Sequence, residues 1–337
     1  MLFITTLQQV AILLIFIIIG YFFKKKGIIN DSGRKVLAGL LVNLFAPAYS
    51  IVSLSSNVSV SNITEYLTLF LAGSLATVIV VFLAIPFAKL FGKDKFHQNI
   101  LKYAFAFGNI GYFGYPLVYG VFGSVARSQM IMFCLPMSIT IYSYGYYILT
   151  QPTENVLLNN AKKQNKSLIK KLSFLYNPPM IGAYLGIAIG LLTSGLNFKM
   201  PKFFTDLVTV ASNCQSAPAM LITGAVLANV PLKKLFTSWK PYVIGLIRLL
   251  VFPLVFAMLF AIIYLCGWRD QTFVQVAFIT IVSVGMPVGM NVVVYPESVG
   301  KDSTEGAKTC FISYVLALAV LPILYSVVIQ VLGVTYA

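Results

Sequence analysis

Two amides stand among glycines and prolines in an otherwise apolar chain. Asn109 lies in GNIGYFGYP, residues 108–116, and Asn291 follows Pro287 in SVGMPVGMN, residues 283–291. A carboxamide donates and accepts hydrogen bonds without carrying charge. The glycines at 108, 111, 114, 285 and 289 permit unusual backbone angles and close approach of other backbones. Pro116 and Pro287 suit the first position of a helix, where the missing N–H is no loss. Each stretch therefore reads as a broken helix whose second half opens with free N–H groups and partial positive charge. The chemistry this offers is anion binding without a buried lysine or arginine. The candidate contacts are Gly108, Asn109, Gly111, Pro116, Gly285, Pro287 and Asn291. Asn43 and Asn213 join them, because they precede two further prolines in APAYSI and APAMLI. For each asparagine a second role is open, capping or bridging its own opened helix.

The elements that must hold these residues are membrane helices. The chain of 337 residues is 59% hydrophobic and 10% charged, with mean hydropathy +0.88, which is too apolar for a soluble domain. Ten apolar runs read as spans: 6–23, 36–56, 66–90, 99–122, 128–150, 178–196, 204–228, 241–266, 272–296 and 308–333. The first is not expected to be a cleaved signal, since no basic stretch precedes it and Lys24, Lys25 and Lys26 follow it. In such a chain each Gly or Pro in a helix interior costs about 1 or about 3 kcal/mol relative to Ala, so the two broken stretches call for a purpose.

The net charge of +15 is an orientation signal. With the N-terminus outside, the loops at 24–35, 89–102, 162–171, 233–240 and 301–308 hold nineteen basic residues. The outside loops then hold four: Arg127, Lys199, Lys202 and Arg269. That bias places both termini outside the cell membrane and removes nucleic acid as a partner. Arg248 alone lies within a span, about two turns from the inside face, to snorkel or to line an inner vestibule. The four cysteines have no paired spacing and read as buried apolar residues. His97 is the single histidine, at a loop edge, and Tyr142, Tyr144, Tyr146 and Tyr147 read as an interfacial belt. No nucleophile–base pair, carboxylate pair, metal set or phosphate loop is visible, so neither an enzyme nor a cofactor is expected.

The chain also repeats. The lysine-rich stretch 151–177 divides the spans five and five, which requires the halves to be inverted in the membrane. Pro47 and Pro218 are 171 residues apart, and so are Pro116 and Pro287. Matched breaks in inverted halves are the pattern of a secondary transporter. The expected fold is an all-α membrane protein of ten transmembrane helices in two inverted five-helix repeats, 1–150 and 178–337, with broken helices four and nine crossing. Asn109 has Thr280 at the matching position, so the site is asymmetric.

FGNIGYFGYPLVYGVFG (107–123), LLVNLFAPAYSI, APAMLITGAVLA and MPVGMNVVVY together resemble the auxin efflux carrier family, whose bacterial members are often described as malate permeases. The resemblance covers essentially the whole chain. It implies a scaffold of helices 1, 2, 6 and 7 that forms a homodimer, a transport domain of helices 3–5 and 8–10, and organic anions such as malate or indole-acetate as substrates. The short linker departs from plant relatives, which carry a long regulatory loop there. The expected function is a secondary transporter of organic carboxylate anions by alternating access, with substrate at the crossover of helices four and nine. A sodium- or proton-coupled symporter of the bile-acid type is the alternative, as is an anion channel or sensor gated at the same break.

Overall fold

Side chains that a soluble protein would hide lie open along most helices. Ile4, Ile15, Ile18, Phe22, Leu71, Leu75 and Phe82 are all exposed, which suits a hydrocarbon solvent. The computed structural model describes residues 2–151, 177–196, 199–268 and 270–332. The linker expected at 151–177 therefore lies almost wholly outside the described residues, as does Arg269.

All regular structure among the described residues is helical. Seven helical stretches are long and apolar enough to cross a bilayer: Leu2–Lys25, Asp31–Ser55, Ile63–Phe91, Ile110–Thr150, Pro178–Gly195, Lys240–Leu265 and Thr304–Leu332. The stretch Ile110–Thr150 has 41 residues, about 60 Å of helix at about 1.5 Å per residue and roughly twice the hydrocarbon thickness. It bends sharply at Gly123, where φ is 81° and ψ −169°, a backbone region essentially restricted to glycine. Arg127 lies one turn beyond that bend, inside the helix Tyr115–Thr140 and buried. The outside loop expected to carry it does not exist.

Three prolines show how the chain absorbs a missing N–H. Pro47, Pro116 and Pro253 each sit second in a regular helix: Ala46–Ser55, Tyr115–Thr140 and Phe252–Leu265. Each helix is preceded by a five-residue wide turn of π type: Leu41–Phe45, Ile110–Gly114 and Ile247–Val251. A proline ring collides with the carbonyl four residues back, and a widened turn moves that carbonyl aside.

Packing sorts the helices into two sets. Pro178–Gly195 lies along Ala46–Ser55, and Leu2–Lys25 along Ser216–Leu227. Glycine every fourth residue makes the first contact close. A Cβ on Gly182 would sit 2.5 Å from the Pro47 backbone, and one on Gly190 2.5 Å from the Val58 carbonyl. In lipid such small-residue stripes replace the hydrophobic drive between helices. In the second set, Ile63–Phe91 packs on Lys95–Ala106 and Tyr115–Thr140, Phe252–Leu265 on Gln271–Val284, and Lys240–Leu246 on Thr304–Leu332. Leu2–Lys25 also touches Thr304–Leu332 and so links the sets.

The basic loops gather at one end. Arg34 pairs with Glu297 at 3.5 Å, Lys240 Nζ donates to the Phe91 carbonyl at 3.1 Å, and Lys301 Nζ donates to the Gln151 carbonyl. At the other end, Val60 N–H donates to Ser194 Oγ at 3.0 Å and the Tyr66 hydroxyl meets Ser128 Oγ at 2.6 Å.

Candidate functional site

Helix Lys95–Ala106 stops at Phe107, and helix Gln271–Val284 stops at Gly285. The interrupted strands of backbone meet each other. Asn109 N–H donates to the Pro287 carbonyl at 2.7 Å, and Gly289 N–H donates to the Phe107 carbonyl at 2.9 Å. Gly108 and Val288 face each other in an isolated antiparallel bridge. Val288 N–H finds Ser313 Oγ at 3.0 Å. Each break thus satisfies groups that the other exposes, as backbone buried without water requires.

Beneath the crossing lies Arg248, fully buried. Its Nη1 donates to the Phe105 carbonyl at 2.6 Å and the Ala106 carbonyl at 3.2 Å, and its Nε to the Met286 carbonyl at 3.2 Å. The Phe105 and Ala106 carbonyls end the first half of one broken helix, where partial negative charge collects, and the Met286 carbonyl lies just past the end of the other. Among the described residues no carboxylate pairs with Arg248, so two helix ends act as its counterion. A Cβ on Gly108 would sit 2.7 Å from Nη2 and 2.9 Å from Met286 Cβ, which is why glycine stands there. Snorkelling towards headgroups, one of the two roles the sequence left open, is ruled out by this burial.

Asn109 caps the second half of its helix. Its Oδ1 accepts from Tyr112 N–H at 3.2 Å, and its Nδ2 donates to the hydroxyl of the buried Tyr314. Both ends of the amide are engaged. The half-helix begins at Ile110 with the wide turn, so Pro116 does not start it. Pro116 lies beyond the wide turn, buried and off the cavity wall. Pro287 likewise does not open a helix. It lies within the break, and the second half begins at Asn291. The two prolines at the shared offset therefore occupy different local structures.

A cavity of about 100 Å³ opens beside the crossing. Gly108, Asn109 and Gly111 line it from one break, and Gly289 and Asn291 from the other. Ala46 and Ser50, Met180 and Ala183, and Gln215 close it from the glycine-packed set of helices. Of the expected contacts, Gly108, Asn109, Gly111 and Asn291 come together here. Gly285 packs instead towards Leu324 and Pro253. Asn43 and Asn213 do not face the cavity. Asn43 is exposed and its Nδ2 donates to the Gly39 carbonyl at 2.8 Å, while Asn213 is exposed at the end of helix Lys202–Asn213. Asn291 Nδ2 donates to the Tyr295 hydroxyl at 3.1 Å. Tyr142 lines the cavity and is also partly open to the surface, as Tyr146 and Tyr147 are. The cysteine reading holds for Cys134 and Cys310; Cys214 and Cys266 are exposed, and all four are free.

Gln215, the neighbour of Asn213 ahead of Pro218, is the polar residue of that stretch that reaches the wall. Nε2 donates to the Gly111 carbonyl at 3.3 Å, and Oε1 is buried without a partner. Its only signal in the sequence is its position three residues before Pro218. The wall therefore offers amides, the Ser50 and Ser138 hydroxyls, and the first N–H groups of a half-helix, set among Ile110, Ile131, Leu135 and tyrosines. This is an uncharged polar array of donors and acceptors in an apolar chamber, suited to one small amphipathic molecule.

A family model described as membrane transport protein matches residues 5–325. The chain belongs to this family of auxin-efflux-carrier type and is a multi-pass membrane transporter. It is 26% identical over 316 residues to an uncharacterized transporter of Methanocaldococcus jannaschii, covering 94% of this chain and 96% of that one. It is 24% identical over 333 residues to an uncharacterized transporter of Methanothermobacter thermautotrophicus, covering 98% and 100%.

Proposed function

We propose that this family member is a secondary transporter that moves small organic carboxylate anions, malate or an amphipathic acid, across the plasma membrane by alternating access. The observation that carries the reading is the placement of the cavity. It lies at the crossing of two broken helices and on the joint between the two packed sets of helices. A chamber at such a joint opens to one side or the other as one set moves against the other.

In this reading the seven long helices become ten spans. Gly123 ends span four and begins span five, and the interrupted pairs Lys95–Ala106 with the helical stretch 110–122, Lys202–Asn213 with Ser216–Leu227, and Gln271–Val284 with Asn291–Ser298 make spans four, seven and nine. Spans 1, 2, 6 and 7 form the scaffold, and spans 3–5 and 8–10 move. The lysine-rich end is cytoplasmic by the positive-inside rule and both termini are extracytoplasmic. Asn43 and Asn213, exposed beside Leu40, Leu44, Leu207 and Val210 on the scaffold, suit a contact with a second copy, because polar amides in lipid favour a hydrogen-bonded partner.

The test is counterflow of labelled malate into proteoliposomes preloaded with unlabelled malate, with indole-acetate and sodium in separate arms. Saturable exchange that Asn109→Ala reduces at least tenfold, in protein that remains folded, is the expected result. Conductance without counterflow would make the chain a channel, and a sodium requirement would make it a symporter.

A further inference from the structure

Arg127 is buried at the end of the molecule opposite the lysine-rich loops. Its Nε donates to Ser53 Oγ at 2.8 Å. Its guanidinium carbon lies 4.3 Å from the Tyr119 ring centre and 4.7 Å from that of Tyr49. Among the described residues no carboxylate pairs with it. Glu65, at the same end, accepts from Gln129 Nε2 at 2.6 Å.

Arg248 and Arg127 are both buried cations, and their surroundings differ in kind. Arg248 is held by three backbone carbonyls of elements on its own side of the joint, so it travels with them. Arg127 sits after Gly123, on the moving side of the joint, whereas Ser53 and Tyr49 belong to helix Ala46–Ser55 of the scaffold. Relative movement of the two sets must pull its guanidinium off Ser53 and Tyr49. What it loses is a neutral hydrogen bond and a ring face, and a carboxylate binds a guanidinium more strongly than either. The contact also connects to the cavity wall through one ring. Tyr49 stacks on Tyr115 with centres 6.4 Å apart and planes at 16°, and Tyr115 lines the chamber.

We propose that Arg127 is the outer gate of the chamber and the first contact of an incoming anion, which opens the gate by replacing Ser53 and Tyr49 as the partner of the guanidinium. This rests on the transporter reading above. A plain packing role for Arg127 would hold the helices together without responding to anions.

The reporter is Ser50→Cys, on the chamber wall, in a background with the exposed Cys214 and Cys266 replaced by serine. It is labelled with a membrane-impermeant thiol reagent in right-side-out and inside-out vesicles. With Arg127 intact, labelling from the outer face is slow. Arg127→Gln raises it about tenfold, the scale expected from losing a cation–π clamp, and Arg127→Lys gives a smaller rise. Outer benzoate speeds outer labelling when Arg127 is present, equimolar benzyl alcohol does not, and the Arg127→Gln protein is indifferent to both. Outer labelling unchanged in both Arg127 variants overturns the gate. No response to benzoate overturns the anion contact. Labelling from the inner face serves as the control for folding and for the chamber: if it is absent with Arg127 intact, the transporter reading fails, whereas if it persists while the outer arms fail, only this proposal does.

Discussion

Replacing Arg248 by methionine tests whether one side chain ties the two broken helices together. Methionine keeps much of the volume and removes every donor. Three carbonyls, those of Phe105, Ala106 and Met286, then lie buried without a partner. Each such loss costs about 1–3 kcal/mol, for roughly 3–9 kcal/mol in all. Against this, the variant no longer buries a charge, whose desolvation is of the order of several kcal/mol. The net expectation is a loss of about 2–4 kcal/mol, large beside a total stability of about 5–15 kcal/mol. Arg248→Lys keeps the charge but cannot span both helix ends, so it should lose about half as much. Thermal unfolding in detergent gives the stability. Cys310 gives the local readout, because its Sγ lies 3.5 Å from the Val288 carbonyl and is buried under the crossing. Loosening of the crossing should make Cys310 react with a small thiol reagent at temperatures well below unfolding. If Arg248→Met unfolds at the wild-type temperature and Cys310 stays inert, the crossing is held by its backbone bridge alone and the reasoning is wrong.

Two other outcomes follow from the same structure. Gly123→Ala places a Cβ on a residue at φ 81° and should destabilise by about 1–3 kcal/mol, whereas Gly39→Ala, in open space, should not; thermal unfolding of the pair decides it. If the scaffold pairs with a second copy as proposed, Asn43→Leu with Asn213→Leu should shift the detergent-solubilised protein towards monomer, read by light scattering, while leaving the monomer as thermally stable as before. A dimer unaffected by both changes places the self-contact elsewhere.

The breaks were legible because glycine, asparagine and proline are costly in an apolar helix, and 107–109 and 285–290 are indeed where helix gives way. Their internal construction was not legible. Pro116 looked like the start of a half-helix, but the wide turn at Ile110–Gly114 moves that start six residues earlier. Nothing local distinguishes a proline that opens a helix from one that follows a π turn. The burial of Arg248 and Arg127 was not legible for a common reason. Sequence gives the depth of a residue in a span but not the direction it faces, and both arginines point inward to partners far along the chain. Asn43 and Asn213 lie off the cavity wall for the mirror-image reason: proximity to a proline said nothing of which face of the helix they occupy. Gln215 lay in the same neighbourhood and does reach the chamber wall.

The bridge between Gly108 and Val288 also bears on how the chain is made. Its two strands are separated by most of the span-bearing sequence, and Arg248 stands between them in order of synthesis. At about 5–20 residues per second, the break at 107–109 emerges roughly 10–35 s before the strand that completes it. During that interval the Asn109 N–H and the Phe107 carbonyl lack the partners that the second break supplies. A nascent N-terminal half must therefore be sheltered by the insertion machinery or sit incompletely inserted. A chain truncated ahead of Arg248 would present an open wound to membrane proteases, while two half-chains expressed together should protect each other once they meet.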